Sequence, residues 1–200
     1  MYRAFFYFKM NKVLLISGPP CSGKTHLINQ ISQNINTTFK KNLGSCYDII
    51  NANQIRNGVS YTNKTLLIHY DCFRSYKRKL KPSINTDKFL LFLSQQQHIE
   101  ILYILNPLKV LKSRMQERYN RLKKTISATR IAKLKSMLDL YENEIKFNEE
   151  YLKWYEFSTQ LCPINQFVAY NSLPNVKDNL IKPLEKNCFS KILDQNEKNS

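Results

Sequence analysis

The chain has 200 residues, 42% hydrophobic and 23% charged, enough for one sizeable globular core. Thirty-one Lys and Arg against 15 Asp and Glu give a formal charge of +16, so the surface favours anions: phosphates, nucleic acid or acidic lipid. No apolar run approaches the roughly 20 residues that cross a bilayer, and Cys21, Cys46, Cys72, Cys162 and Cys188 show neither zinc nor disulfide-framework spacing, which fits reduced thiols in a cytoplasm.

Residues 1–11 form an N-terminal extension, whose apolar run is too short for a signal-peptide core. Met10 stands immediately before the first expected strand and is a candidate translation start. Lys12–Ser17 is an apolar run ending at Gly18, and Lys24–Asn34 carries Leu27, Ile28 and Ile31 at helical spacing. A strand, a glycine loop and a helix are expected there. Asn36–Gly44 reads as a connection and Tyr47–Ala52 as a second strand.

Thr65–Tyr70 (TLLIHY) has the continuous apolar character of a strand buried on both faces, and Asp71 ends it. The basic cluster Lys77–Pro82 reads as an exposed connection, Thr86–Gln97 as a helix, and Ile99–Leu105 (IEILYIL) as another buried strand. Asn106-Pro107 reads as a helix cap followed by proline at the first helical position.

Leu108, Leu111, Met115 and Leu122 make one helical stripe, and the spacing of Arg114, Arg118 and Arg121 places these arginines together on another. The pattern predicts one long helix over Ala128–Phe157, with Leu134, Leu138, Tyr141 and Ile145 in register. Phe167–Asn171 reads as a final strand, Asn175–Leu184 as a closing helix, and residues 186–200 as a loose tail. The expected fold is α/β, a mostly parallel sheet flanked by helices over residues 12–185, with a basic helical region at 107–157.

Gly18-Pro19-Pro20-Cys21-Ser22-Gly23-Lys24-Thr25 fits G-x-x-x-x-G-K-[ST] at every position, between an expected strand and an expected helix. Glycines at the two ends let the backbone curl so that N–H groups and the helix N-terminus face a polyphosphate. Lys24 can reach the β- and γ-phosphates, and Thr25 can offer its hydroxyl to Mg²⁺. Cys21 lies inside this loop, where a helix N-terminus lowers a thiol's pKa.

With "GPPCSGKT", "TLLIHYD" and "ILYILNPLKVLKSRMQERYNR", the chain resembles the P-loop nucleoside triphosphatase superfamily, and within it the small nucleotide and metabolite kinases. The resemblance implies ATP and Mg²⁺ at Gly18–Thr25 and transfer of a phosphoryl group to a small acceptor. It makes Asp71, at the end of a buried strand, a Mg²⁺ ligand or proton acceptor, with Thr25 as the other metal-side residue. Arg114 and Arg118, with Arg121 beyond them, match the arginine-bearing lid over the triphosphate, where guanidinium groups stabilise charge on the transferring phosphoryl group. Arg74 is placed to face a substrate anion, His69 belongs to the sheet's packing, and Tyr170-Asn171-Ser172 lies where such kinases pass the adenine base.

The chain departs from the wider superfamily in lacking an NKxD-type tetrapeptide after a late strand, which disfavours a GTPase switch, and residues 36–64 carry no acceptor signature. Between Lys109 and Lys135 ten Lys and Arg face a single acid, Glu117. That charge leaves nucleic-acid binding or end phosphorylation open as an alternative, beside an ATP-binding regulatory module and a sulfotransferase-like enzyme.

Overall fold

The computed structural model describes residues 12–33, 46–59, 65–74 and 81–161, together with the backbone of 166–170 and 181–183. The N-terminal extension, most of the Lys77–Pro82 cluster, Asn171, Ser172 and the tail lie outside the described residues.

A six-stranded sheet forms the centre, in the order β2-β3-β1-β4-β5-β6. Its strands are β1 (Lys12–Gly18), β2 (Asp48–Asn51), β3 (Thr65–Asp71), β4 (Ile99–Leu105), β5 (Gln166–Tyr170) and β6 (Ile181–Pro183). The first five run parallel and β6 pairs antiparallel with β5. The backbone at 181–183 is therefore a strand where a closing helix over Asn175–Leu184 is expected.

Every residue of β4 is buried, as are all but the first of β1, which is what a parallel sheet covered on both faces demands. Alternation then splits their side chains between two cores. Leu14, Ile16, Leu67, Leu102 and Ile104 pack on one face against Leu27, Ile28 and Ile31 of α1 (Lys24–Ser32). Val13, Leu15, Ile68, Tyr70, Ile101 and Tyr103 belong to the larger core on the other face.

That larger core is roofed by α2 (Ala52–Arg56), α3 (Lys88–Ser94), α4 (Leu108–Leu122), α5 (Ala128–Glu142) and α6 (Glu144–Leu161). Trp154 of α6 is buried against Tyr70, their ring centroids 4.5 Å apart. Phe73, just past β3, meets Tyr141, Phe147 and Tyr151 edge to face. These aromatic contacts fix α5 and α6 against the carboxyl ends of the strands.

The single helix expected over Ala128–Phe157 is two helices, interrupted at Asn143. Asn143 is extended, and its side-chain oxygen accepts a 2.9 Å hydrogen bond from the N–H of Lys146, capping the start of α6. The break takes Ile145 off the predicted stripe and leaves it 75% exposed. Ala52–Arg56, too polar to give a helical signal, is nevertheless a short helix with a complete capping box: Asn51 accepts from the N–H groups of Asn53 and Gln54, and Gln54 accepts from the N–H of Asn51.

Among the described residues no helix is long and apolar enough to cross a membrane.

Candidate functional site

The chain order of the sheet sets the location of a site. From β1 the chain goes to β2 on one side, from β4 to β5 on the other, and β1 and β4 are neighbours. Loops leaving the carboxyl ends of β1 and β4 therefore diverge, and such a switch point is where open α/β sheets form their ligand crevice. The segment Gly18–Thr25 leaves β1 at this point and Asn106 leaves β4 beside it.

Local geometry explains the loop's residue types. A Cβ on Gly18 would lie 2.7 Å from the Oγ of Ser22 and 3.3 Å from the carbonyl oxygen of Ile104, so the close approach of two strands and the returning loop requires glycine. Gly23 takes φ 95°, a left-handed conformation that opens α1 without side-chain strain. Cys21 also has positive φ, 65°, at a cost of about 1–2 kcal/mol for a side chain with a Cβ.

Lys24 does not reach into solvent. It is 5% exposed, and its ammonium donates to the carbonyl oxygens of Gly18 at 2.8 Å and Pro19 at 2.7 Å, with Ser22 Oγ at 3.4 Å. The cation thus lies inside the curl of the loop, while the first-turn N–H groups of α1, which no helix can satisfy internally, add a partial positive charge at the same place. Thr25 is exposed on that first turn.

Other elements clamp the loop from outside. Asn106 donates from Nδ2 to the carbonyl oxygen of Ser22 at 3.0 Å. Arg114, from the second turn of α4, donates to the carbonyl oxygen of Cys21 at 3.4 Å and to Oδ1 of Asn106 at 3.5 Å. Tyr141 of α5 donates its buried hydroxyl to the carbonyl oxygen of Pro20 at 2.7 Å, and Tyr151 of α6 donates to Ile104 at 3.2 Å. Burial, aided by the charge of Asp71, pushes the Tyr141 hydroxyl well above its ordinary range, so it remains a donor.

Asp71 is the strand neighbour of Gly18 in the register of β1 with β3. Its Oδ1 accepts from the N–H of Phe73 at 3.1 Å, which aligns the half-buried carboxylate at the strand end. Two residues earlier, burial and the nearby Lys24 charge lower the His69 imidazole to about 4. His69 is therefore neutral at physiological pH, in keeping with a packing role.

A second polar group borders the same edge. Arg56 of α2 forms a two-pronged pair with Asp87, Nε to Oδ1 and NH2 to Oδ2 both 2.7 Å. Arg74 approaches the same carboxylate at 3.8 Å and donates to Asn53 Oδ1 at 2.9 Å. Burial alone would raise the Asp87 carboxyl, but the hydrogen bonds and charge of Arg56, with Phe89 N–H and Arg74, hold it below the usual carboxylate range. Arg74, expected to face an anion, is thus engaged with Asp87 and Asn53.

The expected residues separate into two groups. Gly18 to Thr25 and Arg114 meet at the switch point, and Asp71 lies beside Gly18 on the neighbouring strand β3. Arg118, one turn beyond Arg114, is exposed and lines a cleft between α4 and α5 together with Pro20, and Arg121 is exposed in the last turn of α4. Asn106 does not cap α4 as its sequence position suggests; Pro107 is the cap residue and the Asn106 amide turns to the loop. Tyr141 reads in the sequence as part of an apolar stripe, although a buried tyrosine hydroxyl needs a partner, and that requirement is the signal for its role.

The oxygen donors Thr25 and Asp71 are of the kind Mg²⁺ takes, one or two protein ligands completed by waters and phosphates. Among the described residues no group of three or more His, Cys, Asp and Glu gathers as a metal cage. The fold is α/β, with parallel strands flanked by helices and the Gly18–Thr25 segment running from β1 into α1 at the switch point. Beyond that class, a comparison with protein-family models finds no match, and no curated protein matches the chain.

Proposed function

We propose that the chain is an ATP-dependent phosphotransferase, with the triphosphate held by the Gly18–Thr25 loop and the acceptor approaching from the carboxyl edge of the sheet. Support comes from one juxtaposition: a buried ammonium inside a glycine-bounded loop at a helix N-terminus, with a carboxylate on the adjacent strand.

In this reading the backbone of residues 19–24 and the Lys24 ammonium bind the β- and γ-phosphates, so that Lys24 exchanges its carbonyl partners for phosphate oxygens. Thr25 and Asp71 would hold Mg²⁺, which supplies charge neutralisation at the phosphates when bound. An acceptor oxygen forms a bond to the γ-phosphorus as the bond to the bridging oxygen breaks, and the acceptor's proton passes to a base or to water. Arg114, already within reach of the loop, stabilises charge on the phosphoryl oxygens. The cage of Asn106 and Tyr141 keeps the loop preorganised, which is where positioning contributes to rate.

The test is transfer of the γ-phosphoryl group of labelled ATP to a broad panel of hydroxyl and phosphate acceptors, by the wild type and by Asp71→Asn. Transfer to an acceptor that falls by about 10²-fold or more in Asp71→Asn supports the proposal. Tight ATP binding with no transfer to any acceptor favours a regulatory module instead. A nucleic-acid acceptor has one specific observation in its favour: eight of the ten cations between Lys109 and Lys135 are exposed, and oligonucleotide ends therefore belong in the panel.

A further inference from the structure

Antiparallel α4 and α5 leave between them a cleft of about 300 Å³. It begins at Pro20, passes Met115 and Met137, which are both buried, and continues to Leu122 and Ile126 at the turn joining the helices. Met115 to Leu122 spans seven residues, about 10 Å at 1.5 Å per residue. Its apolar floor therefore runs for about two helical turns.

The rim has the opposite character. Arg118 on one helix and Arg130 and Lys133 on the other are all exposed at the cleft, and among the described residues no acidic side chain lines it. A cavity of about 150 Å³ lined by apolar side chains accommodates benzene, so this one has room for roughly a dozen non-hydrogen atoms. Three cations over such a floor select a ligand with an apolar body and an anionic head, whereas a bare inorganic anion would leave the floor wet and a neutral hydrocarbon would leave the cations unused.

We propose that the α4–α5 cleft is a second ligand site, for a small amphipathic anion: an aromatic or aliphatic body of about ten carbons bearing a phosphate or carboxylate. Arg118, Arg130 and Lys133 meet the head, and Leu122, Ile126 and Leu134, backed by the buried Met115 and Met137, meet the body. The ligand would also touch Pro20, whose carbonyl oxygen Tyr141 holds, so occupancy of the cleft bears directly on the Gly18–Thr25 loop. The site does not depend on what that loop itself binds.

1-Naphthyl phosphate is a suitable probe, with 1-naphthol and inorganic phosphate as its two halves, all measured by isothermal titration on the full chain. The expected result is a Kd for 1-naphthyl phosphate at least about tenfold below that of either half. The double variant R130E/K133E weakens the probe by about tenfold or more and leaves 1-naphthol unaffected. Leu134→Trp, which fills the cleft, weakens both naphthyl compounds. If inorganic phosphate binds as tightly as the probe, or if the R130E/K133E variant, folded by circular dichroism, keeps the wild-type Kd, the proposal is wrong; the charge-reversed variant decides the matter where Leu134→Trp does not fold.

Discussion

Tyr141→Phe isolates the tether between α5 and the Gly18–Thr25 loop. The wild-type hydroxyl donates to the Pro20 carbonyl oxygen at 2.7 Å in a buried setting, and phenylalanine retains the ring contacts with Phe73 and Phe147. Only the hydrogen bond is lost, and the carbonyl loses a buried donor, for a cost of about 1–2 kcal/mol. In a chain of this size that corresponds to a fall in Tm of about 2–8 °C. The folded-state Tyr141 hydroxyl is raised above its unfolded value, so its contribution is fully present below pH 10 and is lost as pH rises above it. Thermal melts of both proteins between pH 6 and 9 should therefore show a constant difference, which shrinks above about pH 10. ATP affinity, measured in parallel, should fall by a few fold because the loop is less fixed. A variant with unchanged Tm and unchanged ATP affinity would refute the view that α5 holds the loop in place.

Gly18→Ala places a methyl group 2.7 Å from Ser22 Oγ and should destabilise by about 1–3 kcal/mol in chemical denaturation, partly recovered in the double variant Gly18→Ala/Ser22→Ala; a fully stable single variant would contradict the tight approach. Asp87→Asn breaks a mostly buried two-pronged pair and should cost about 2–4 kcal/mol at neutral pH. Because the folded Asp87 carboxyl lies below its unfolded value, that stabilisation is present above about pH 4 and is lost as pH falls below it, so wild type and variant should converge in acid denaturation. Curves that remain parallel down to pH 2 would rule out Asp87 as the titrating group.

Continuous apolar runs made β1, β3 and β4 readable to within a residue, because strands buried on both faces carry no competing periodicity. The Gly18–Thr25 turn was equally visible, since its glycines answer a local need: a Cβ at position 18 has no room, and position 23 takes positive φ. What escaped reading depends on partners far along the chain. Asn106 looks like a helix cap until β1 and β4 are placed side by side, and Tyr141 looks like core until the hydroxyl finds Pro20. The interruption at Asn143 was hidden because leucine and tyrosine spacing runs up to it without a glycine or proline to mark the end. The pairing of Arg56 with Asp87 joins residues 31 positions apart, and no local pattern announces it. The cleft between α4 and α5 is a property of two packed surfaces, invisible in either helix alone.

Equilibrium binding of Mg-ATP to the wild type and to Lys24→Ala addresses the central claim most directly. Saturable binding by the wild type in the micromolar to millimolar range is expected, about 10²-fold or more weaker in Lys24→Ala while the variant remains folded. An absence of ATP binding by the wild type at millimolar concentration, or equal binding by the folded variant, would contradict the assignment of Gly18–Thr25 as a triphosphate cradle.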